Sequence, residues 1–184
     1  MSFVGMRRLA RSGLALFATC LSGCLTLLGG GGQESITLPF EFEGNAPAWE
    51  VVRSDRNQIG SIDEFVRPGQ TVENWTELVT TQAFNKAAGL KSVDDFMTAY
   101  RKRLVARCPG STVEVVRRLP DGVLYESHVV NCPRGADGQL LARVLDGSWN
   151  RFIVQYAVRG ALTLTPERRT EWTEKLMAVQ IVDI

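Results

Sequence analysis

Residues 151–158 alternate strictly, with Phe152, Val154, Tyr156 and Val158 in one set of positions and Arg151, Ile153, Gln155 and Ala157 in the other. A two-residue period sends successive side chains to opposite faces of a strand, so this run buries one face fully and the other in part. A strand of that kind needs paired neighbours, because its backbone donors and acceptors cannot be left unmet in a core. The flanking sequence supplies them. Residues 140–145 lead into it through Asp146-Gly147-Ser148, and residues 113–119 and 123–131 flank Pro120-Asp121-Gly122. Both connections carry turn residues between apolar runs. Residues 59–66 and 75–84 flank Arg67-Pro68-Gly69-Gln70 and read as a hairpin with a long connection. Residues 49–53 read as a short strand. Ile36, Leu38, Phe40 and Phe42 alternate as a half-buried strand that Pro39 confines to a sheet edge.

Two segments change period. From 92 to 107, Val93, Phe96, Met97, Tyr100 and Leu104 recur at three- and four-residue spacing, which makes one apolar helical stripe. Ser92 with Asp95 reads as a capping box, and Arg101, Lys102, Arg103 and Arg107 complement the helix dipole from a solvated face. Thr165 caps a last helix with Pro166 at its first position, and Trp172, Leu176 and Val179 form its inward stripe. With 45% apolar and 22% charged residues, a chain of 184 residues can build a real core but not several. The expectation is a single α+β domain over 36–184, a curved antiparallel sheet with two main amphipathic helices packed on it. This order of elements resembles the PsbP-like fold, an α/β/α sandwich, over about 36–182. The resemblance rests on topology and transfers no functional residue. It implies a kinship with periplasmic lipoprotein domains that act mostly as accessory binding proteins.

Residues 1–23 are expected to be removed before the chain folds. Arg7, Arg8 and Arg11 form a positive flank, residues 14–21 an uncharged apolar run, and Leu21-Ser22-Gly23-Cys24 closes the segment. The apolar run is too short for a bilayer core, which needs roughly 20 residues. Met6 would serve as a start as well as Met1, because a complete signal follows either. Leu21-Ser22-Gly23-Cys24 resembles the lipobox of bacterial lipoprotein precursors. The resemblance implies cleavage after Gly23, a diacylglyceryl thioether on Cys24 and acylation of the new amino terminus. Three acyl chains exceed the two signals that stable anchoring needs. Leu25, standing where aspartate would favour retention at the inner membrane, implies the outer membrane, facing the periplasm. Residues 24–35, with Gly29 to Gly32, read as the lipidated cysteine and a tether. No Gly-Lys-Ser/Thr follows the glycines, so they are not a phosphate loop.

In that compartment the cysteine arithmetic is simple. Cys20 leaves with the signal and Cys24 is lipidated, so Cys108 and Cys132 remain for one disulfide. Closing that loop stabilises the fold by about 3.5 kcal/mol on chain entropy. Each cysteine precedes a proline and so sits where an element ends. The expected bridge joins the end of the first long helix to the end of a central strand.

Charge and histidine usage exclude several functions. A formal net charge of +1 offers no polycationic field for nucleic acid, and one histidine, His128, rules out a multi-histidine metal site. Losing residues 1–23 removes three arginines and no acid, leaving 18 basic against 20 acidic residues and a charge of −2. A polybasic grip on anionic lipid is therefore not expected. No Gly-x-Ser-x-Gly elbow accompanies Ser127 and His128. Asp63-Glu64 and Asp94-Asp95 are neighbours rather than facing carboxylates, and Asn74-Trp75-Thr76 is an accidental sequon. Trp75 and Trp149 sit beside turns, where the alternatives are partly exposed contact residues or, as expected here, packing at the core or its edge. No catalytic, cofactor-binding or metal residue is assigned. The expectation is a non-catalytic envelope lipoprotein that binds a protein partner, as an accessory subunit or an immunity-type protein. The alternative is a small-ligand-binding protein or hydrolase using a groove between sheet and helices.

Overall fold

The alternating run forms the middle strand of a seven-stranded antiparallel sheet. The computed structural model describes residues 34–38, 42–43, 46–47, 49–89, 92–133, 137–160 and 163–184. The expected signal segment, Cys24, the glycine run, Pro39 and Phe40 lie outside the described residues. In chain order the elements are β1 (Glu34–Thr37), β2 (Phe42–Glu43), β3 (Ala46–Pro47), β4 (Glu50–Arg56), β5 (Gly60–Val66), β6 (Glu77–Asn85), α1 (Val93–Arg107), β7 (Thr112–Leu119), β8 (Gly122–Val129), β9 (Gly138–Asp146), β10 (Asn150–Arg159), α2 (Pro166–Ala178) and β11 (Gln180–Asp183). The large sheet runs β4-β5-β6-β10-β9-β8-β7. It is two meanders: α1 carries the chain from β6 to the far edge, and β7, β8 and β9 walk back until β10 pairs with β6, Tyr156 opposite Val79.

The two faces of the sheet carry different helices. Phe152, Val154, Tyr156 and Val158 on β10 join Leu141 and Leu145 on β9 against Trp172 and Leu176 of α2. On the other face Ile153, Ala142, Val144, Val123 and Tyr125 meet Met97 of α1, with Val93, Phe96, Tyr100 and Leu104 half-buried beside it. The domain is thus a single α+β unit with a helix on each side of the sheet. Both N-cap residues act as the sequence predicts, although of the Ser92–Asp95 capping box only the Ser92 half is seen: Ser92 Oγ accepts from the Asp95 N–H at 3.0 Å, and Thr165 Oγ1 accepts from the Arg168 N–H at 3.3 Å.

Three features differ from the sequence expectation. Glu34 and Ser35, assigned to the tether, are buried in β1. β1 does not join the large sheet. It pairs with β11, Glu34 opposite Asp183, an element that local periodicity over four residues does not announce. Finally, Cys108 and Cys132 meet at disulfide distance, Cα atoms 4.3 Å apart, but the bridge ties the end of α1 to the chain leaving β8, the strand next to the edge, rather than a central one. The same junction is stitched by polar contacts. Ser111 Oγ accepts from the Val130 N–H at 3.0 Å, and Asn131, at a φ of 56° that asparagine tolerates, donates to the Pro109 carbonyl at 3.1 Å.

On the α2 face one guanidinium holds several elements. Arg143 of β9 is 5% exposed, and its Nη1 donates to the carbonyls of Leu176 (3.1 Å), Met177 (2.9 Å) and Val179 (3.0 Å). Those carbonyls stand at the negative end of α2, where Leu176 also accepts from the Val179 N–H at 3.3 Å. Its Nη2 donates to Asp121 Oδ2 at 2.5 Å, which neutralises the buried charge from the β7–β8 turn. Replacing Arg143 with Met is expected to lower unfolding stability by about 3 kcal/mol, because carbonyls and carboxylate lose their donor together. Chemical denaturation would read the difference, and Arg143→Lys should recover only part of it. Removing the bridge as a Cys108→Ser/Cys132→Ser chain should cost about 3.5 kcal/mol in the same assay. Reductant should then affect the parent and leave the double variant unchanged.

Candidate functional site

A helix is about 10 Å wide, whereas seven strands at about 4.8 Å spacing span about 29 Å. One helix therefore cannot cover a face of this sheet. On the α2 face the β1–β11 ladder and Trp49 fill the remainder. On the opposite face α1 sits over β7 and β8, and the strip along β6 and β10 stays open beside it. The step between helix and strip is a groove. One part, about 140 Å³, lies between Phe96, Tyr100 and Arg103 of α1 and Gln82, Phe84 and Gln155 of the sheet. It runs into a cleft of about 200 Å³ bounded by Ile59, Asn85, Lys86 and Gly89, which shares Phe84, Phe96 and Arg103.

Three hydroxyls converge beneath this groove. Tyr125 and Ser127 point to the α1 face from β8, and Tyr100 descends from α1 with its ring 5.2 Å from that of Tyr125. Neither Tyr125 Oη nor Ser127 Oγ has a hydrogen-bond partner of good geometry. Burial pushes the Tyr125 phenol well above the ordinary range, and the neighbouring Tyr100 adds to the shift. Burial also raises Tyr100, against the smaller opposing influence of the Ser127 and Tyr125 hydroxyls. Both phenols therefore stay protonated near neutrality, and with the Ser127 hydroxyl they can hydrogen-bond a ligand.

The lone histidine lies on the other face. Thr112 stands opposite His128, and Glu114 opposite Glu126, in the β7–β8 register. With Arg169 of α2, which ion-pairs with Glu126, they line an open polar hollow of about 340 Å³. His128 Nε2 lies 2.8 Å from Gln139 Nε2. Ser127, one residue away, is buried on the α1 side, so a Ser127–His128 nucleophile and base couple is geometrically excluded. Strand alternation separates Asp63 and Glu64 in the same way. Asp63 is held by Arg56 at 3.0 Å and 3.1 Å, and Glu64 faces Arg53 at 3.5 Å. Asp94 pairs with Arg118 at 2.8 Å. Among the described residues no group of three His, Cys, Asp or Glu side chains is placed to hold a metal ion.

Two residues at the end of the sheet differ from the sequence expectation. Glu34 is 4% exposed, and its carboxylate accepts from the consecutive N–H groups of Ser148 (2.6 Å), Trp149 (3.0 Å) and Asn150 (2.9 Å) in the β9–β10 turn. A lone acid after a glycine run carries no periodic signal, so only the folded contact reveals it. Trp149, expected to pack, is instead 61% exposed, because the turn that binds Glu34 turns the indole outward. Trp75 is half-buried, with the Arg159 guanidinium 5.5 Å over its ring.

At the opposite end the Glu77 carboxylate meets three partners. Arg67 Nε donates to it at 2.6 Å and the Tyr156 hydroxyl at 2.8 Å, while Arg168 approaches to 3.3 Å. Burial alone would raise its pKa, but Arg67, Tyr156 and Arg168 together outweigh burial and hold it below the ordinary value. Burial, and then the adjacent Glu77, drives the Tyr156 phenol upward. A carboxylate depressed in the folded state stabilises fully above its unfolded value, 4.5, and loses that contribution as pH falls through the folded value. Glu77→Gln is thus expected to be less stable than the parent by about 1 kcal/mol at neutral pH. The gap should close on acidification below 4.5, as thermal melts across the range would read.

No family model matches the chain. It is similar to a protein named trigger factor from Rhodopseudomonas palustris (strain BisB18), 30% identical over 157 residues, which is 85% of this chain and 32% of that protein. The chain therefore spans about a third of the length of that relative.

Proposed function

We propose that this chain is a non-catalytic lipoprotein of a bacterial envelope, held through an acylated Cys24 at the periplasmic face of the outer membrane and acting as an accessory or immunity-type subunit for a protein partner. One observation carries the reading: a basic flank, a short apolar run, Leu21-Ser22-Gly23-Cys24 and Gly29 to Gly32 follow one another in the order that export, lipidation and tethering require. The Cys108–Cys132 pair fits an oxidising compartment. The layering of helix, sheet and helix fits the PsbP-like kinship inferred from element order. A tether near a membrane raises the effective concentration of any binding surface it carries. The open strip along β6 and β10 beside α1 is the surface we assign to the partner.

The test has two readouts. Mass spectrometry of membrane-extracted chain should find Cys24 as the amino terminus carrying lipid, and Cys24→Ser should move the protein to the soluble periplasmic fraction. A precursor intact in the cytosol and free of lipid would overturn the anchor. Photo-crosslinkers at Gln82 and Gln155 in intact cells should capture one defined envelope protein, and a blank would overturn the accessory role.

A second reading is favoured by the hydroxyls beneath the groove. Tyr100, Tyr125 and Ser127 under an apolar cleft suit a small ligand with one hydrogen-bonding group, bound or hydrolysed there. A compound of defined mass retained by the native protein and lost in Phe96→Asp would select this reading over the first.

A further inference from the structure

We propose that the end of the domain formed by the β4–β5 and β9–β10 turns rests on the bilayer, with Trp149, Ile59 and Ile184 as its apolar contacts. This rests on the Cys24 anchor proposed above and adds which surface faces the lipid. The Glu34 carboxylate is gripped by three backbone N–H groups of the β9–β10 turn, so the first described residue is fixed at that turn. About ten peptide units separate Cys24 from Glu34, and fully extended they span at most about 35 Å. An acylated Cys24 therefore keeps this end close to the lipid, while the Cys108–Cys132 bridge marks the opposite end.

Exposed apolar side chains gather at the same end. Trp149 is 61% exposed, Ile59 60% and Ile184 51%. They are neighbours in the fold: the Asn85 N–H donates to the Ile59 carbonyl at 2.9 Å and the next N–H, of Lys86, to the Trp149 carbonyl at 3.1 Å. Ile184 follows Asp183, the partner of Glu34 in the β1–β11 ladder. The charges of the β9–β10 turn are matched, while Asp183 and Arg103, which lines the cleft beside Ile59, stay exposed. Lys86 bonds the Gly147 carbonyl at 2.8 Å and approaches Asp146 at 3.3 Å, and Asp121 is taken by Arg143. An outward indole with two aliphatic side chains suits the headgroup boundary of a bilayer, where scattered charges stay in water and an amphipathic ring keeps its apolar body in lipid and its N–H in water. A polybasic contact would need unpaired cations, and the processed chain is instead slightly acidic.

The lipid-anchored chain, extracted from cells and reconstituted into phosphatidylcholine vesicles with brominated acyl chains, tests this directly. The other described tryptophans are buried or, for Trp75, half-buried at the far end, so lipid quenching should be carried by Trp149. Trp149→Phe should lose the quenched component, Ile59→Ser/Ile184→Ser should weaken it, and high salt should leave it unchanged. Chain recovered without lipid on Cys24 would overturn both the anchor and this orientation. Lipidated chain whose emission is unquenched, or quenched equally in Trp149→Phe, would overturn the orientation alone. Trp149 protected in native membranes by a crosslinkable protein, yet unquenched in vesicles, would assign the face to that protein and also overturn the bilayer contact.

Discussion

Arg143 projects from β9 into the apolar layer under α2, where a free guanidinium would be very costly to desolvate. It is tolerated because both terminal nitrogens meet negative partners, Nη1 three carbonyls at the end of α2 and Nη2 the Asp121 carboxylate, while Nε is left buried without a partner. The contact fixes more than a charge. It sets where α2 stops, and the residues after that stop form β11, which in turn pairs with β1. β1 then delivers Glu34 to the β9–β10 turn, the hairpin that continues the same strand β9. A closed circuit results, running from β9 through α2, β11 and β1 back to the end of β9, with a buried ion at each closing point.

Most of the large sheet was legible in the sequence because its strands are long enough to show a period and are separated by glycine, proline and aspartate turns. β10 is the clearest case. Phe152, Val154, Tyr156 and Val158 face α2, and the intervening positions face α1, as alternation requires. The two helices were equally plain from Ser92, Thr165 and Pro166. The β1–β11 ladder was not legible. Its strands are four residues each and far apart in the chain, and nothing in either segment encodes the register of the other. Glu34 belongs to the same class: its partners are backbone groups of a distant turn, which no side-chain pattern announces.

The candidate site was visible only in outline. A groove between sheet and helix was expected, but its position follows from the width of one helix against seven strands and from the filling of the other face by β1, β11 and Trp49. The sequence placed Ser127 beside His128, and the fold separates them across the sheet, one below α1 and the other over the polar hollow near Arg169. Residue proximity along a strand is thus evidence against a shared site. Conversely, Tyr100 and Tyr125, unremarkable as apolar positions, are brought into contact because the α1 stripe lands on β8. Their shared burial is what fixes their protonation.

The β1–β11 ladder also has a mechanical meaning. Tension along the amino-terminal segment would reach Glu34, the outermost rung of the ladder, before any other pair. Resistance would then concentrate in the three N–H groups of the β9–β10 turn that grip the carboxylate. The domain carries its mechanical latch at the point where any pull on that segment first arrives, and the strands of the large sheet lie behind it.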